Sequence, residues 1–276
     1  MRSFDPETLK NLYTPPKDAH KPQNGSVMLI GGSKLFHAAS LWSLTIISRI
    51  VDMTFYSSVT ENNEIVQKAK EEFRNGIIVP RDKIEDYINE ADVVLIGPGL
   101  PREDGLETGD DDTKHLTEKL LKKYPAKKWV IDGGGLQTIS PEVLLELKTM
   151  PILTPHIKEF KTLFGIDASA EAAREMAKEY HCVILLKGEE DIVCSPEDAV
   201  RIEGGNSGMT KGGTGDVLAG LVAALYTKND AVLSATASSY INKKAGESLF
   251  ERVGYYFNAS DLADEIPTVM KELIIQ

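Results

Sequence analysis

The sequence predicts an α/β protein in which helices cover both faces of a central, mostly parallel sheet, giving a three-layer sandwich. Short apolar runs alternate with segments of helical apolar spacing along most of the 276 residues. Two of these runs, 93–96 and 183–186, are apolar at every position, which is typical of strands buried on both faces of a parallel sheet. No linker or internal repeat divides the chain, so we predict one domain over 1–276.

The first half of the chain shows the alternation most clearly. A polar, proline-bearing arm up to Gly25 leads into the first strand. Apolar residues three or four positions apart, as at Leu41, Leu44 and Ile47, then predict the first helix. We predict strands over 27–30, 53–59, 77–79 and 93–96, and helices over 38–51, 63–73, 83–89 and 113–123.

The second half completes the alternation and adds a helical tail. Runs 192–193 and 199–202 follow each other too closely for a crossover helix, which predicts an antiparallel edge of the sheet. Pro141 supports a helix over 141–148, because proline suits the first helical turn. We predict strands over 129–131, 152–153 and 183–186, and helices over 141–148, 157–164, 170–180, 217–226, 230–251 and 259–273.

The most unusual stretch is a glycine-rich loop that runs into an apolar helix. Glycines at 212, 213 and 215 let the backbone turn tightly and bring amide groups close to a ligand. A helix N-terminus adds unpaired amides and the positive end of its dipole, which together favour phosphate. Asp216 can then accept a proton from a hydroxyl that attacks a phosphoryl group. The alternative is a plain capped helix with a flexible entry loop, although a cap needs only one Asp or Ser.

Three further polar residues lie at predicted strand ends, where ligands of parallel sheets bind. His156 either bonds a neighbour at a helix start or contacts a ligand. Lys187 closes the strand over 183–186 and suits a phosphate or a carboxylate. Asp132 precedes three glycines, where it either caps the next segment or binds a hydroxyl or a magnesium water. We interpret the acidic stretch 103–112 as a solvated flap near the cleft.

Composition excludes several functions. The net charge of −11 argues against nucleic acid as a partner, whereas a small phosphorylated ligand needs only local positive charge. Cys182 and Cys194 show no metal spacing and predict buried thiols in a reducing compartment. No signal-peptide stretch or membrane-spanning run is present, so we expect a cytoplasmic protein with no membrane partner. Walker A, zinc-site and serine-hydrolase motifs are also missing from the sequence.

Together these residues resemble the ribokinase-like superfamily and, more narrowly, the ADP/ATP-dependent NAD(P)H-hydrate dehydratase family. The Gly-Thr-Gly-Asp loop at 213–216 marks the superfamily. The narrower match rests on Thr-Pro-His-x-x-Glu-Phe at 154–160, Ala-Ser-Asp-Leu at 259–262 and the His-Lys pair at 20–21. Three more elements match the family: Gly31-Gly32-Ser33, Gly97-Pro98-Gly99-Leu100 and Leu186-Lys187-Gly188.

The resemblance implies an enzyme that repairs NADH or NADPH whose nicotinamide ring has been hydrated. ADP or ATP would phosphorylate the ring hydroxyl in the presence of Mg²⁺, and elimination of phosphate would restore the ring. Asp216 would be the catalytic base, and no metal-ligating residue is implied. The implied substrate-binding residues are Ala39, Gly99, His156 and Asp216, and the implied nucleotide-binding residues are Lys187, Gly188, Glu189, Gly212, Gly213, Thr214 and Gly215.

Four positions depart from the family pattern. Ala38 replaces a glycine, Pro101 replaces a glycine of the substrate cleft, Asp132-Gly133-Gly134-Gly135 lacks a second acid, and Lys211 replaces a small residue. Two alternatives therefore stay open: a small-molecule kinase of the same superfamily, of the hydroxymethylpyrimidine or hydroxyethylthiazole type, and a non-catalytic nucleotide-binding relative. A strand that starts near residue 27 leaves no space for the epimerase domain often fused to this family. The helix over 230–251 has apolar residues to spare, so we expect a homo-oligomer.

Overall fold

The computed structural model describes residues 1–68, 76–102 and 110–275, and their strands form one ten-stranded sheet. The strands are β1 (Arg2–Ser3), β2 (Ser26–Ile30), β3 (Met53–Ser57), β4 (Ile77–Ile78), β5 (Val93–Ile96), β6 (Lys128–Ile131), β7 (Ile152–Leu153), β8 (Val183–Leu186), β9 (Asp191–Cys194) and β10 (Ala199–Ile202). Their order across the sheet is β1-β10-β9-β8-β7-β6-β5-β2-β3-β4.

Most neighbouring strands run parallel, as the sequence predicted. Only β9 pairs antiparallel with its neighbours β8 and β10, among the strands of the described residues. The antiparallel strands do not form the edge, because β1 adds to β10 in parallel register with Arg2 opposite Val200. The predicted antiparallel edge is therefore wrong by one strand, and the N-terminal arm supplies the edge itself.

Helices cover both faces of this sheet. In the described residues they are α1 (His37–Ile47), α2 (Thr60–Lys68), α3 (Ile84–Glu90), α4 (Thr113–Lys123), α5 (Gly133–Thr138), α6 (Ile157–Phe164), α7 (Ala170–Glu179), α8 (Thr214–Tyr226), α9 (Ala231–Val253) and α10 (Ala259–Ile274). Successive strand residues point to opposite faces. Val93 and Leu95 share a core with residues of α1, α8 and α9, whereas Val94 and Ile96 share one with α3, α4, α6 and α7. The predicted three-layer sandwich is confirmed, and α10 packs outside α8 and α9.

Three helical segments differ from the prediction. Residues 133–138 form a helix where the sequence predicted none. The predicted helix over 141–148 is a 3-10 segment, Pro141–Glu146, which ends because Leu147 is extended. The helix predicted over 63–73 is α2, and its predicted residues 69–73 lie outside the described part of the chain.

The two cysteines are buried, as the sequence predicted. Cys182 and Cys194 are free and buried, and burial raises the pKa of both thiols, so neither is a reactive thiolate. Across the described residues, we find no helix of the length and apolar character that crossing a membrane would require.

The expectation of a homo-oligomer loses part of its basis in the structure. The apolar residues of α9 that prompted it are mostly buried in a core shared with α8 and α10. Phe250 and Val253, near the end of α9, remain exposed. The oligomeric state stays a prediction.

Candidate functional site

The glycine-rich loop turns sharply into α8 at Gly213. This residue has φ 97°, and a Cβ added to it would lie 2.4 Å from ring carbons of Trp42. Only glycine fits such a position without strain. The Thr214 hydroxyl secures the turn by donating to the carbonyls of Met209 and Lys211 at 2.7 and 3.0 Å. The loop therefore presents the N-terminus of α8, a geometry that favours phosphate.

A largely buried lysine, whose side chain is 16% exposed, lies next to this loop. The Lys187 Nζ atom is 3.3 Å from the point that a Cβ on Gly215 would occupy. It donates to Asp132 Oδ1 at 2.9 Å and lies 3.8 Å from Glu159 Oε2. Burial lowers the pKa of Lys187, but Asp132 and Glu159 outweigh this effect and raise it above its usual value. Lys187 is therefore a permanent charge at the base of the loop.

Neighbouring strand ends hold the two carboxylates. The Thr154 hydroxyl donates to Asp132 at 2.7 Å. Gln137 Nε2 and the backbone amide of His156 donate to Glu159 at 3.1 and 2.9 Å. Asp132 occupies the N-cap position of α5, but its side chain makes no capping bond. The capping alternative for Asp132 is therefore wrong, because its carboxylate accepts hydrogen bonds from Lys187 and Thr154 instead.

Asp216 completes this cluster from the first turn of α8. Burial, and then the charge of Asp132, raise the pKa of Asp216 to about 7, while Lys187 acts in the opposite direction. The Ser43 hydroxyl donates to the Asp216 carbonyl at 2.7 Å, which fixes α8 against α1. A carboxyl with this pKa can take up or release a proton near neutral pH, as a general base must.

His156 is the N-cap residue of α6. Its Nδ1 atom accepts from the amides of Lys158 and Glu159 at 3.0 and 3.2 Å, and Glu159 completes a capping box. The side chain is 46% exposed, and its Nε2 atom lies 3.6 Å from Glu159 Oε1. The capping alternative is confirmed, and a ligand contact through Nε2 stays a prediction.

Ala39 and Gly99 meet at the carboxyl ends of β2 and β5. Gly99 has φ 71°, and a Cβ added there would lie 2.4 Å from the Phe36 carbonyl and 3.0 Å from Ala39 Cβ. Gly32 packs against the same point, since its Cα lies 3.1 Å from that added Cβ. The two predicted substrate residues are thus brought together by close backbone approach.

Three of the four departures from the family pattern make specific contacts in the structure. A Cβ at Gly134 would lie 2.2 Å from the Leu100 carbonyl, so the start of α5 can pack on the 97–100 loop only without a side chain. This tertiary contact explains a helix that begins with three glycines. Pro101 is buried, and its carbonyl accepts from the Thr113 hydroxyl at 2.7 Å. Lys211 turns away from the loop to bond the carbonyls of Tyr255 and Phe257.

The described residues of the acidic stretch, 110–112, are bonded to neighbouring elements. Residues 103–109 lie outside the described part of the chain. Asp111 is 17% exposed and pairs with Arg81 at 2.7 Å, which contradicts the solvated interpretation for this residue. Asp110 accepts from the Lys34 amide, and Asp112 caps α4 through the His115 amide. Through Asp110 and Asp111, the described end of the stretch is bonded to residues that follow β2 and β4.

A cavity of about 800 Å³ opens beside the glycine loop. Five of the predicted nucleotide-binding residues line it: Lys187, Gly188, Glu189, Thr214 and Gly215. Gly212 and Gly213 shape the loop without appearing in the described wall of the cavity. The wall continues through residues 203–207, Met209, Thr210 and Leu218. The volume suits a ligand of nucleotide size.

The sequence did not single out the residues that α9 contributes to this cavity. Lys243 is buried, and its amine donates to the Glu189 carbonyl at 2.8 Å and lies 3.5 Å from Asp191 Oδ1. Asp191 in turn accepts from the Gly188 amide and the Ser239 hydroxyl at 2.9 and 2.7 Å. No motif marks these residues, because they face the cavity only once α9 packs against β8 and β9.

The fold is a ribokinase-like α/β sandwich, and the N-terminus of α8 has a geometry that favours an anion. A solved Bacillus subtilis structure shares this fold at a TM-score of 0.79 with 22% identity, covering 99% of this chain and 98% of that one. That protein is an ADP/ATP-dependent NAD(P)H-hydrate dehydratase, co-crystallised with ATP/Mg²⁺.

Residues 27–268 match the family model described as NAD(P)H-hydrate dehydratase, and the chain belongs to this family. It is 34% identical to an ADP-dependent (S)-NAD(P)H-hydrate dehydratase of Nitrosopumilus maritimus, over 92% of this chain and 91% of that protein. It is 35% identical to a bifunctional NAD(P)H-hydrate repair enzyme of Methanocaldococcus jannaschii, over 95% of this chain and 51% of that protein. The chain thus spans about half the length of the bifunctional relatives that it matches.

Proposed function

We propose that this protein dehydrates hydrated NADH or NADPH, using ADP or ATP to phosphorylate the ring hydroxyl. One observation carries the proposal: Asp216, whose pKa is raised to about 7, lies at the N-terminus of α8 beside the nucleotide-sized cavity. The Ser43 bond links this position to α1, the helix that carries Ala39. Family membership over 27–268 supports the choice of substrate.

The first step is transfer of a phosphoryl group to the ring hydroxyl. Asp216 accepts the hydroxyl proton while the oxygen attacks the terminal phosphorus of the nucleotide, and the bond to the bridging oxygen breaks. The α8 N-terminus and Lys187 stabilise the charge on the transferred group. Because Asp216 is held by α8 and not by a flexible loop, the base keeps its position as the nucleotide binds.

The second step restores the ring. Hydroxide is a poor leaving group at neutral pH, whereas a phosphate monoester oxygen leaves readily. The lone pair of the ring nitrogen expels phosphate as the carbon–oxygen bond breaks. The neighbouring ring carbon then loses a proton to the departing phosphate, and the ring double bond re-forms. No oxidation or reduction takes place, so the product is NADH or NADPH.

Magnesium would reach the site together with the nucleotide. The described residues contain no group of three or more metal-ligating side chains. Mg²⁺ in nucleotide sites is usually held by phosphate oxygens together with one or two carboxylates. Such binding does not need a group of three protein ligands. Asp132 and Glu159 outnumber Lys187 in the cluster, so their carboxylates fit this role. The ion would supply charge neutralisation at the phosphates.

The cytoplasm is the proposed location, because two unpaired buried thiols suit a reducing compartment. A homo-oligomer is the proposed assembly, with the exposed residues Phe250 and Val253 at the end of α9 as its starting evidence. Gel filtration with light scattering measures this assembly directly, and a monomer at micromolar concentration would contradict it.

The assay for this function follows the return of reduced-nicotinamide absorbance from hydrated NADH, with Mg²⁺ and either ADP or ATP. We expect recovery with at least one nucleotide. Asp216→Asn should lower the rate about a hundredfold or more, because the base is lost. Asp230→Asn is the matched control, since it caps α9 away from the cavity and Asn caps equally well. A stable phosphorylated product without NADH would identify a kinase instead.

A further inference from the structure

The loop between β2 and α1 lies against the predicted substrate residue Gly99. This loop spans residues 31–36, and a Cβ added to Gly99 would lie 2.4 Å from its Phe36 carbonyl. The base of the loop, 31–33, is buried, whereas Leu35 and Phe36 at its tip are 61% and 50% exposed. An exposed tip gains little from apolar packing, so the position of the loop depends on the bonds at its base.

A buried asparagine bonds the base of this loop. Asn62, near the start of α2, is 3% exposed. Its Nδ2 atom donates to the Ser33 carbonyl at 2.9 Å and to Ser58 Oγ at 3.0 Å. The Ser33 hydroxyl in turn accepts from the Phe36 amide at 3.1 Å. One amide group therefore joins α2, the end of β3 and the residue from which the tip departs.

Asn62 is part of a group of uncharged polar side chains that converge on Gly32. Ser40 and Tyr56 are fully buried, and their hydroxyl oxygens lie 2.9 Å apart. A Cβ added to Gly32, where φ is 76°, would lie 2.4 Å from Ser58 Oγ and 2.8 Å from Ser40 Oγ. Asn62 Nδ2 is 2.9 Å from the same point. Buried polar groups that bond one another in this way favour a single arrangement of the loop.

The backbone bonds of the loop do not replace this side chain. The Gly31 amide donates to the Ser57 carbonyl at 3.1 Å, and the Gly32 amide donates to the Pro98 carbonyl at 2.7 Å. These two bonds fix the start of the loop beside its neighbouring strands. Asn62 acts one residue further on, at Ser33, where the chain leaves the buried base. It therefore controls the direction in which the exposed tip continues.

We propose that Asn62 is a positioning residue for the hydrated dinucleotide, because it holds the loop over 31–36 in the form that brings Gly99 and Ala39 together. This inference rests on the proposed function and adds a residue on the substrate side that does not itself touch the substrate. Asn62 is not among the residues that line the nucleotide-sized cavity in the described part of the chain. Loss of its bonds should weaken substrate binding and leave nucleotide binding unchanged.

Asn229 provides a matched control for the amide group. Its Nδ2 atom donates to the Leu225 carbonyl at 2.7 Å, and its Oδ1 atom accepts from the Tyr13 amide at 2.9 Å. It also joins separate segments of the chain, but beyond the end of α8 that is opposite Asp216. Asn62→Ala and Asn229→Ala each remove bonds to two partners, so both should lower the Tm by about 2–6 °C.

Two tyrosines provide a milder pair of variants. Tyr56→Phe removes the hydroxyl beside Ser40 and keeps the buried ring. Tyr226→Phe makes the same change near the C-terminal end of α8, where the hydroxyl donates to the Met150 carbonyl at 2.6 Å. Each variant loses a single oxygen, so both should fold. Tyr56→Phe therefore tests the inference even if Asn62→Ala does not fold.

The test measures initial rates with hydrated NADH at saturating nucleotide and Mg²⁺, well below the Tm of each variant. We expect Asn62→Ala to raise the KM for the dinucleotide about tenfold and Tyr56→Phe about threefold, with kcat within about twofold. Calorimetry should give the same ADP affinity for all variants. The two control variants should keep the natural KM, since a loss of stability alone does not change it in a folded protein.

Binding of NADH, the product of the proposed reaction, gives a measurement that does not need turnover. With ADP saturating the nucleotide side, Asn62→Ala should weaken NADH binding about tenfold. Weakened NADH binding in this variant, in a natural protein that binds NADH without turnover, would support the inference and contradict the dehydratase.

Three results would overturn the role of Asn62 and leave the dehydratase standing. The first is an unchanged KM in folded Asn62→Ala and Tyr56→Phe. The second is an equal rise of the KM in Asn229→Ala, which would show a general effect of lost stability. The third is a loss of ADP affinity as large as the rise in the KM. A natural protein that neither binds NADH nor converts its hydrate would overturn both proposals.

Discussion

The nucleotide side and the substrate side of the cleft are built by different means. On the nucleotide side, buried charges are fixed by partners: Lys187 by Asp132 and Glu159, and Lys243 by Asp191 and backbone carbonyls. On the substrate side, Gly99 fits against Ala39 and the Phe36 carbonyl with no space for a side chain. The first side is therefore sensitive to changes of charge, and the second to changes of volume.

Asp216 lies where the two sides meet. It belongs to the charged cluster through Asp132 and Lys187, and it is tied to α1 through Ser43. This position explains why a carboxylate is found at a helix N-terminus that otherwise favours an anionic ligand. The same burial that makes Asp216 a base near pH 7 also makes it costly to the folded state.

The largest effect on stability should come from removing the positive charge of Lys187. Lys187→Met leaves Asp132 and Glu159 buried beside each other without compensation. We expect the free energy of unfolding at pH 8 to fall by about 3–5 kcal/mol, as when one partner of a buried ion pair is lost. Urea denaturation measures this change, with the exposed Lys158→Met as the control. Equal stability of Lys187→Met and the natural protein would contradict the claim that Lys187 compensates the charges of Asp132 and Glu159.

Asp216→Asn should stabilise the protein while removing its activity. The folded state raises the pKa of Asp216 from 3.8 to about 7, so folding favours the protonated form. The resulting penalty is fully present above pH 7 and disappears as the pH falls toward 4. We expect a gain of about 2–4 kcal/mol at pH 8 and little gain at pH 4. Denaturation at both values measures it, and a destabilised variant at pH 8 would contradict the shifted pKa.

Two glycine substitutions should affect nucleotide binding and substrate binding separately. Gly213→Ala places a methyl group 2.4 Å from the Trp42 ring at positive φ, so we expect weaker nucleotide binding by about tenfold. Gly99→Ala should instead raise the KM for the hydrated dinucleotide by a similar factor, with nucleotide affinity unchanged. Calorimetry and initial rates distinguish the two effects.

Gly165→Ala is the control for this pair, because Gly165 also has a positive φ of 71° and a Cβ there meets nothing within 4 Å at the C-cap of α6. It should leave both affinities close to those of the natural protein. If Gly99→Ala weakened nucleotide binding as strongly as Gly213→Ala, the division of the cleft into two sides would not hold.

The sequence predicted those parts of the fold whose signals are local. The strands at Val93–Ile96 and Val183–Leu186 have the predicted bounds, because runs that are apolar at every position belong in a buried sheet. The helix α10 was also predicted despite Pro267, since its apolar spacing continues past the proline. The loop before α8 was recognisable because its glycines have no other local use.

Other features depend on contacts between distant residues. Three successive glycines ordinarily break a helix, and α5 exists because Gly134 packs on the Leu100 carbonyl. The two-residue strand β1 needs β10 beside it. Lys243 belongs to an uninterrupted helical pattern, and only the packing of α9 brings it to the cavity. The sequence carries no local sign of any of these three features.

The most direct measurement is the pH dependence of kcat/KM for hydrated NADH, between pH 5.5 and 8.5 with saturating nucleotide and Mg²⁺. Asp216 must be ionised to accept the hydroxyl proton, and its pKa is about 7. The rate should therefore be level above pH 7.5 and fall about tenfold per pH unit below pH 6.5. A rate that stays constant down to pH 5.5, in a protein that remains folded, would contradict Asp216 as a buried base with a raised pKa.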